Sequence, residues 1–244
     1  MLSPHSESRL LASLPAADFD LLHRHLRRDV LPSQSVLYEP GAPITKAYFP
    51  HGGAVSLVMV MLGGQVVEVG MLGRDGMLGG FAALGGHPAC HRAVVQIRSD
   101  VSVIGIEALR QAAEERGAIR SLLLRHEQAL LAQAQQLAAC NATHPLEARL
   151  CRWLLQARDA CGRSTLETTQ ESIAELLGVR RTSVSFTAHG MQMAGIIRTR
   201  RGQIELLDVP ALQRASCECY GNIALQYDRL LRAGELEWDV AQIA

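Results

Sequence analysis

The sequence predicts an α+β chain: an antiparallel β domain, one long helix, and a winged helix-turn-helix near the C-terminus. Three observations carry this. Turn residues recur about every 11 to 13 positions through the first half, with short β-friendly runs between them. Residues 118–139 are rich in Ala, Leu and Gln and hold no Pro or Gly. Residues 166–208 hold two short amphipathic segments around Gly178, followed by a basic hairpin.

The β domain is read from its punctuation. Pro40-Gly41, Gly52-Gly53, Gly63-Gly64, Gly73 to Gly76, Gly85-Gly86 and Ser99-Asp100 mark turns. They enclose candidate strands Ser35–Tyr38, Val55–Met61, Val66–Val69, Val94–Ile97 and Val101–Ile104. Short strands at this spacing suggest an antiparallel sandwich or barrel. A short helix is expected before them, around Ala16–Arg28.

After Ile106 the periodicity changes. Glu107–Glu115 reads as a short helix and residues 118–139 as a long one. Leu123, Leu130 and Leu137 repeat at seven residues, with Leu124, Leu131 and Ala138 beside them. A stripe that broad can pack on its own domain and on a partner helix together. Leu123, Leu130, Leu131 and Leu137 are therefore the expected dimer contacts. Pro145 marks the passage into a second domain, whose first helix, Leu146–Ala160, ends at Gly162. The expected division is 1–117 for the β domain, 118–144 for the dimerisation helix and hinge, 145–231 for the second domain and 232–244 for a loose tail. Ala211–Leu231 reads as one more helix.

The second domain carries the functional signal. Thr169 stands where a helix cap is needed. Ile173, Leu176 and Leu177 then share a face, and Gly178 suits a tight turn. The next helix begins near Arg180 and sends Val184, Ala188, Met191 and Met193 toward a core. Two helices joined by a Gly-containing turn form a helix-turn-helix. The second helix opens with Arg180, Arg181, Thr182, Ser183 and Ser185. Arg can pair bidentately with guanine, and the hydroxyls can reach phosphates or base edges. Arg198, Arg200 and Arg201 follow in a two-stranded wing. From Gly178 to Gly202 there are five arginines and no acidic residue. That local excess supplies the electrostatic part of DNA binding.

Composition sets the bounds. Lys+Arg and Asp+Glu balance at 24 each, which argues against a chain that coats nucleic acid but not against one basic face. No uncharged apolar run approaches the roughly 18 residues of a membrane helix. The opening MLSPHSESRL lacks a secretory pattern, and six cysteines are few for a disulfide scaffold of this length, so a reducing cytoplasm is expected.

The segment TQESIAELLGVRRTSVS, continued by AGIIRTRRGQIELLD, resembles the C-terminal winged helix of the Crp/Fnr family. The resemblance extends from Leu10 to about Leu231. It implies a β-roll of the cyclic-nucleotide-binding jelly-roll type, a dimer helix and a winged helix, in that order. It also implies a regulator of transcription that binds an operator as a homodimer, with RNA polymerase as a candidate further partner. Arg181 matches the guanine-reading arginine of that family. Thr182 stands where a base-reading Glu is common, and Phe186 where a basic residue is common. Gly190 weakens the helix by roughly 1 kcal/mol relative to Ala.

The resemblance also locates an effector cassette, in residues 73–96. Its candidate residues are Gly79, Gly80, Phe81, His91, Arg92 and Ala93. Gly80 stands where the ribose-binding Glu belongs, so a cyclic nucleotide is not the expected effector, and the effector is left unknown. An N-terminal cysteine cluster for iron–sulfur sensing is absent, since the first Cys is Cys90. His87 and His91 read as surface residues rather than haem ligands. Cys217 and Cys219 lack a second pair at metal-site spacing and read as buried structural thiols, so no metal site is expected. No nucleophile–base set accompanies Glu68 or Asp75, which argues against an enzyme. The alternative is a ligand-sensing or scaffolding module whose winged helix contacts protein instead of DNA.

Overall fold

The structure is a computed structural model that describes residues 7–86 and 88–232. His87 and most of the tail expected at 232–244 lie outside the described residues.

The N-terminal half comprises α1 (Arg9–Ala12), α2 (Ala16–His23), β1 (Arg27–Leu31), β2 (Val36–Tyr38), β3 (Lys46–Pro50), β4 (Ala54–Val60), β5 (Val66–Leu72), α3 (Gly80–Ala83), β6 (Arg92–Ile97) and β7 (Ser99–Gly105). One antiparallel sheet has the order β1-β7-β3, and the other β2-β6-β4-β5. Val55, Leu57, Leu72, Ala93, Val95 and Val101 fill the space between them. The expected strands are all present, and β1 and β3 add to them. The helix expected to reach Arg28 stops at His23, because Arg27–Leu31 pairs with β7.

Then follow α4 (Ile106–Glu115) and α5 (Gly117–Thr143), whose 27 residues make it roughly 40 Å long. Gln133 of α5 grips the end of β5: its Oε1 accepts from the Met71 N–H and its Nε2 donates to the Met71 carbonyl, each at 3.2 Å. Leu123 and Leu137 are buried within the chain, at 1% and 2% exposure, and Leu130 packs on the roll. Of the four expected partner contacts only Leu131 is exposed, at 60%, and Leu124 accompanies it at 47%. The outward ladder is therefore the Leu124, Leu131, Ala138 row. The other row is taken up by the chain's own β-roll and last helix.

The C-terminal half comprises α6 (Leu146–Cys161), β8 (Thr165–Leu166), α7 (Gln170–Leu176), α8 (Arg181–Met193), β9 (Ile197–Arg200), β10 (Gln203–Leu206), α9 (Val209–Ala215) and α10 (Cys219–Leu231). The small sheet runs β8-β10-β9. The helix expected over Ala211–Leu231 is two helices with a break at Ser216–Glu218, and α10 turns back along α5.

One apolar cluster joins the two halves. Ala54, Val58, Val66, Met71 and Ile97 of the roll pack with Trp153, Leu154 and Ala157 of α6, and through them with the core of the winged helix. A polar group lies inside this junction. Buried Glu68 of β5 accepts from the Ser56 hydroxyl and, at 3.3 Å, from Trp153 Nε1. Burial raises the Glu68 carboxyl to about 7, against the opposing pull of the Ser56 bond and of Arg152.

Candidate DNA-binding interface

The helix-turn-helix is built from local signals. Thr169 caps α7 by accepting from the Ser172 N–H at 3.1 Å. Ile173, Ala174 and Leu176 are buried from α7, and Val184, Ala188 and Met191 from α8. Gly178 turns the chain between them with φ of +64°, a region that disfavours a side chain. Met193, expected to reach the core, is instead 75% exposed.

The start of α8 and the wing face each other across a cleft of about 430 Å³. Thr169, Gln170, Arg181, Arg200 and Arg201 line it. The structure thus gathers four of the sequence-predicted residues into one concave surface. Arg180, Thr182 and Ser183 lie exposed beside them on the N-cap and first turn of α8. Arg180, Arg181, Arg200 and Arg201 form no ion pair with the described residues. Two predicted contacts are engaged elsewhere. Ser185 is half-buried and donates to Gln170 Oε1 at 2.7 Å, which ties α8 to α7. Arg198 is paired with Glu205 across the wing at 3.0 Å. Gln192, which sequence reasoning missed, fixes the wing to α8: its Oε1 accepts from both the N–H and the hydroxyl of Thr199. Nothing in the sequence singles out that glutamine, because its partner is set by the wing's path.

The candidate effector residues fall into different surroundings. Gly79 is the N-cap of α3, at φ of +79°, and a Cβ there would lie 2.7 Å from the Lys46 carbonyl oxygen. Gly80 is buried, and the Met77 side chain fills the place a Cβ would take. Phe81 is half-buried. His91 is buried between Tyr38 and Cys90, with Nε2 3.2 Å from the Tyr38 hydroxyl and Nδ1 3.3 Å from Cys90 Sγ. Burial lowers its pKa, and Glu127 opposes that. Arg92 donates to Glu39 Oε2 at 2.8 Å, and Ala93 is inside the roll. The cassette itself supplies no carboxylate at Gly80, but Glu127 of α5 does come close, its Oε1 3.6 Å from where a Gly80 Cβ would lie. The cassette's arginine has an internal partner. A separate cleft of about 330 Å³ opens between roll and C-terminal helices, lined in part by Arg74, Asp75, Gln156, Asp159 and Tyr227.

Two family models match the chain. The Crp-like helix-turn-helix domain matches residues 148–215, and the cyclic nucleotide-binding domain matches residues 28–116. Together they span most of the chain in the family's order. The chain belongs to the Crp/Fnr family of transcription regulators. Solved structures share its fold. A protein described as a Crp/Fnr regulator from Eubacterium rectale aligns with a TM-score of 0.65 at 16% identity, covering 86% of this chain and 98% of that one. The c-di-GMP responsive regulator CLP of Xanthomonas campestris gives 0.63 at 17%, covering 79% and 99%. FixK2 of Bradyrhizobium japonicum gives 0.64 at 16%, covering 79% and 98%. No curated protein matches the chain. No helix among the described residues is long and apolar enough to cross a membrane.

Proposed function

We propose that this Crp/Fnr regulator binds a pseudo-palindromic operator as a homodimer in the cytoplasm, with one α8 in the major groove of each half-site. The observation that carries this is the cleft between α8 and the wing, where Arg181, Arg200 and Arg201 converge with no ion pair to any of the described residues. Arg181 reads a base edge, with Arg180, Thr182, Ser183 and Thr169 around it, and Arg200 and Arg201 grip phosphates. Ser185 and Arg198 serve to hold the interface in shape. Half-sites lie about one helical turn apart, as two-fold related recognition helices require. The exposed Leu124 and Leu131 support dimerisation along α5. An effector acts by binding one arrangement of the dimer better than another. RNA polymerase is a further partner at the promoter.

The test is a titration of selected operator DNA at several salt concentrations. Arg181→Ala is expected to lose roughly 1–3 kcal/mol on the specific site. Arg200→Ala is expected to weaken all sequences alike and to lower the salt slope by about one. Wild-type binding by Arg181→Ala sinks the readout. Absence of salt-dependent binding by the intact protein sinks the DNA function and favours a winged helix that contacts protein.

A further inference from the structure

Three cysteines and a histidine meet where α5 ends and α10 begins. Cys140 and His144 are four residues apart, the spacing that stacks two side chains on one face of a helix. His144 is the C-cap of α5. Cys217 and Cys219 flank Glu218 at the break between α9 and α10. One ligand atom from each of the four lies within 4.8 Å of the other three. Cys140, Cys217 and Cys219 are buried and form an apolar cluster apart from the main cores.

The distances carry metric information. Zinc binds thiolate at about 2.3 Å and imidazole at about 2.0–2.1 Å. A tetrahedron with those bonds has S···S edges of about 3.8 Å and S···N edges of about 3.6 Å. Cys140 Sγ and Cys217 Sγ are 3.6 Å apart, and Cys219 Sγ and His144 Nδ1 are 3.5 Å apart. Outer contacts suit the same reading. Glu218 Oε1 lies 3.2 Å from His144 Nε2, the arrangement in which a carboxylate fixes the ring of a ligating histidine. Gln136 Nε2 donates to Cys219 Sγ at 3.1 Å. Arg152, 1% exposed, has an Nε without a hydrogen-bond partner among the described residues; burial raises the Cys140 thiol, and the Arg152 charge opposes that. Three thiolates on a divalent ion leave a net single negative charge, which offsets that buried cation.

We propose that Cys140, His144, Cys217 and Cys219 form a tetrahedral zinc site that clamps the start of α10 to the end of α5. With four protein ligands the site is closed, so its role is structural and not catalytic. It lies one residue before Pro145, where the chain passes into α6, and so sets how the winged helix leaves the long helix. Each thiol that binds releases its proton to solvent, and no electron is transferred.

The full chain, purified reduced and metal-free, is titrated with Co²⁺ and then with Zn²⁺ against a chromogenic chelator. The expected result is one ion per chain, with thiolate-to-cobalt charge transfer and the intense visible bands of tetrahedral cobalt, displaced by Zn²⁺. Glu218→Gln, an exposed change that leaves the core alone, is expected to lower zinc affinity about 10–100-fold. Cys140→Ser with Cys217→Ser is expected to abolish the cobalt spectrum, whereas Cys90→Ser leaves it unchanged. A wild-type spectrum without thiolate charge transfer overturns the proposal, whatever the variants do. So does zinc affinity unchanged by the double substitution.

Discussion

Glu68→Gln isolates the buried acid at the junction of the two halves. The wild-type carboxyl has an ordinary value of 4.5 and is held at about 7 in the fold, first by burial. A raised acid favours the folded state while it keeps its proton. Its contribution is full below the unfolded value, falls as pH rises, and is gone above about 7. The whole gap corresponds to about 3 kcal/mol. Between about pH 5 and about pH 8 the loss is about 2.5 kcal/mol, since titration is incomplete at each end. A glutamine keeps the shape: Ser56 and Trp153 Nε1 both donate to the same Glu68 oxygen, Oε2, and a carbonyl oxygen in that place can accept from both. It does not titrate. Urea unfolding of both proteins at several pH values gives the difference of differences, in which all other titrating groups cancel. The wild type should lose about 2.5 kcal/mol relative to the variant across that window. Parallel pH profiles for the two proteins would refute the reasoning, because Glu68 would then be as ionised in the fold as in the unfolded chain.

Two further perturbations probe packing and assembly. Trp153→Ala empties a fully buried site between roll and winged helix and should cost about 3–5 kcal/mol by chemical denaturation; a loss below about 1 kcal/mol would show the junction to be loose. Leu124→Glu with Leu131→Glu places charge on the exposed ladder of α5 and should convert dimer to monomer in sedimentation, with far-UV dichroism unchanged; a persistent dimer would move the contact to another face.

How much of this was legible in the sequence depends on how local each cause is. The Gly-bounded strands, the Thr169 cap and the Gly178 turn are settled within a few residues, and they appear where the sequence places them. β1 was hidden because RRDVL is mostly exposed and charged, so it lacks the alternation that marks a half-buried strand. Its register comes from β7, about seventy residues away. The long helix was plain, but its outward ladder was not. Two adjacent leucine rows are equally apolar, and only the packing of the roll and α10 decides which is covered. Ser185 and Arg198 likewise read as free contacts until Gln170 and Glu205 arrive from other elements. The cysteine–histidine cluster is the extreme case. Cys140 and Cys217 are 77 positions apart, so each half of the cluster, Cys140 with His144 and Cys217 with Cys219, has local spacing of its own, but only the fold joins the two.

The junction also limits how regulation can work. Trp153 is fully buried against the roll. Tryptophan buries about 150–250 Å², so exposing it costs about 4–6 kcal/mol at about 25 cal/mol per Å². Moving a two-state equilibrium from 1:99 to 99:1 itself requires about 5.5 kcal/mol of differential affinity. An effector that pulled the winged helix off the roll would have to supply that and the undocking cost together. Reorientation with the junction intact avoids the second cost. Val67 of β5 already rests against Gly178 in the turn before α8, so small shifts of the edge strand reach the recognition helix directly. The expectation is that operator binding leaves Trp153 buried. With Trp238→Phe in the background, Trp153 emission should keep its short-wavelength maximum and its resistance to iodide when operator is added. A red shift with new quenching on DNA binding would show that the halves separate, and would place the switch in the undocking of α6.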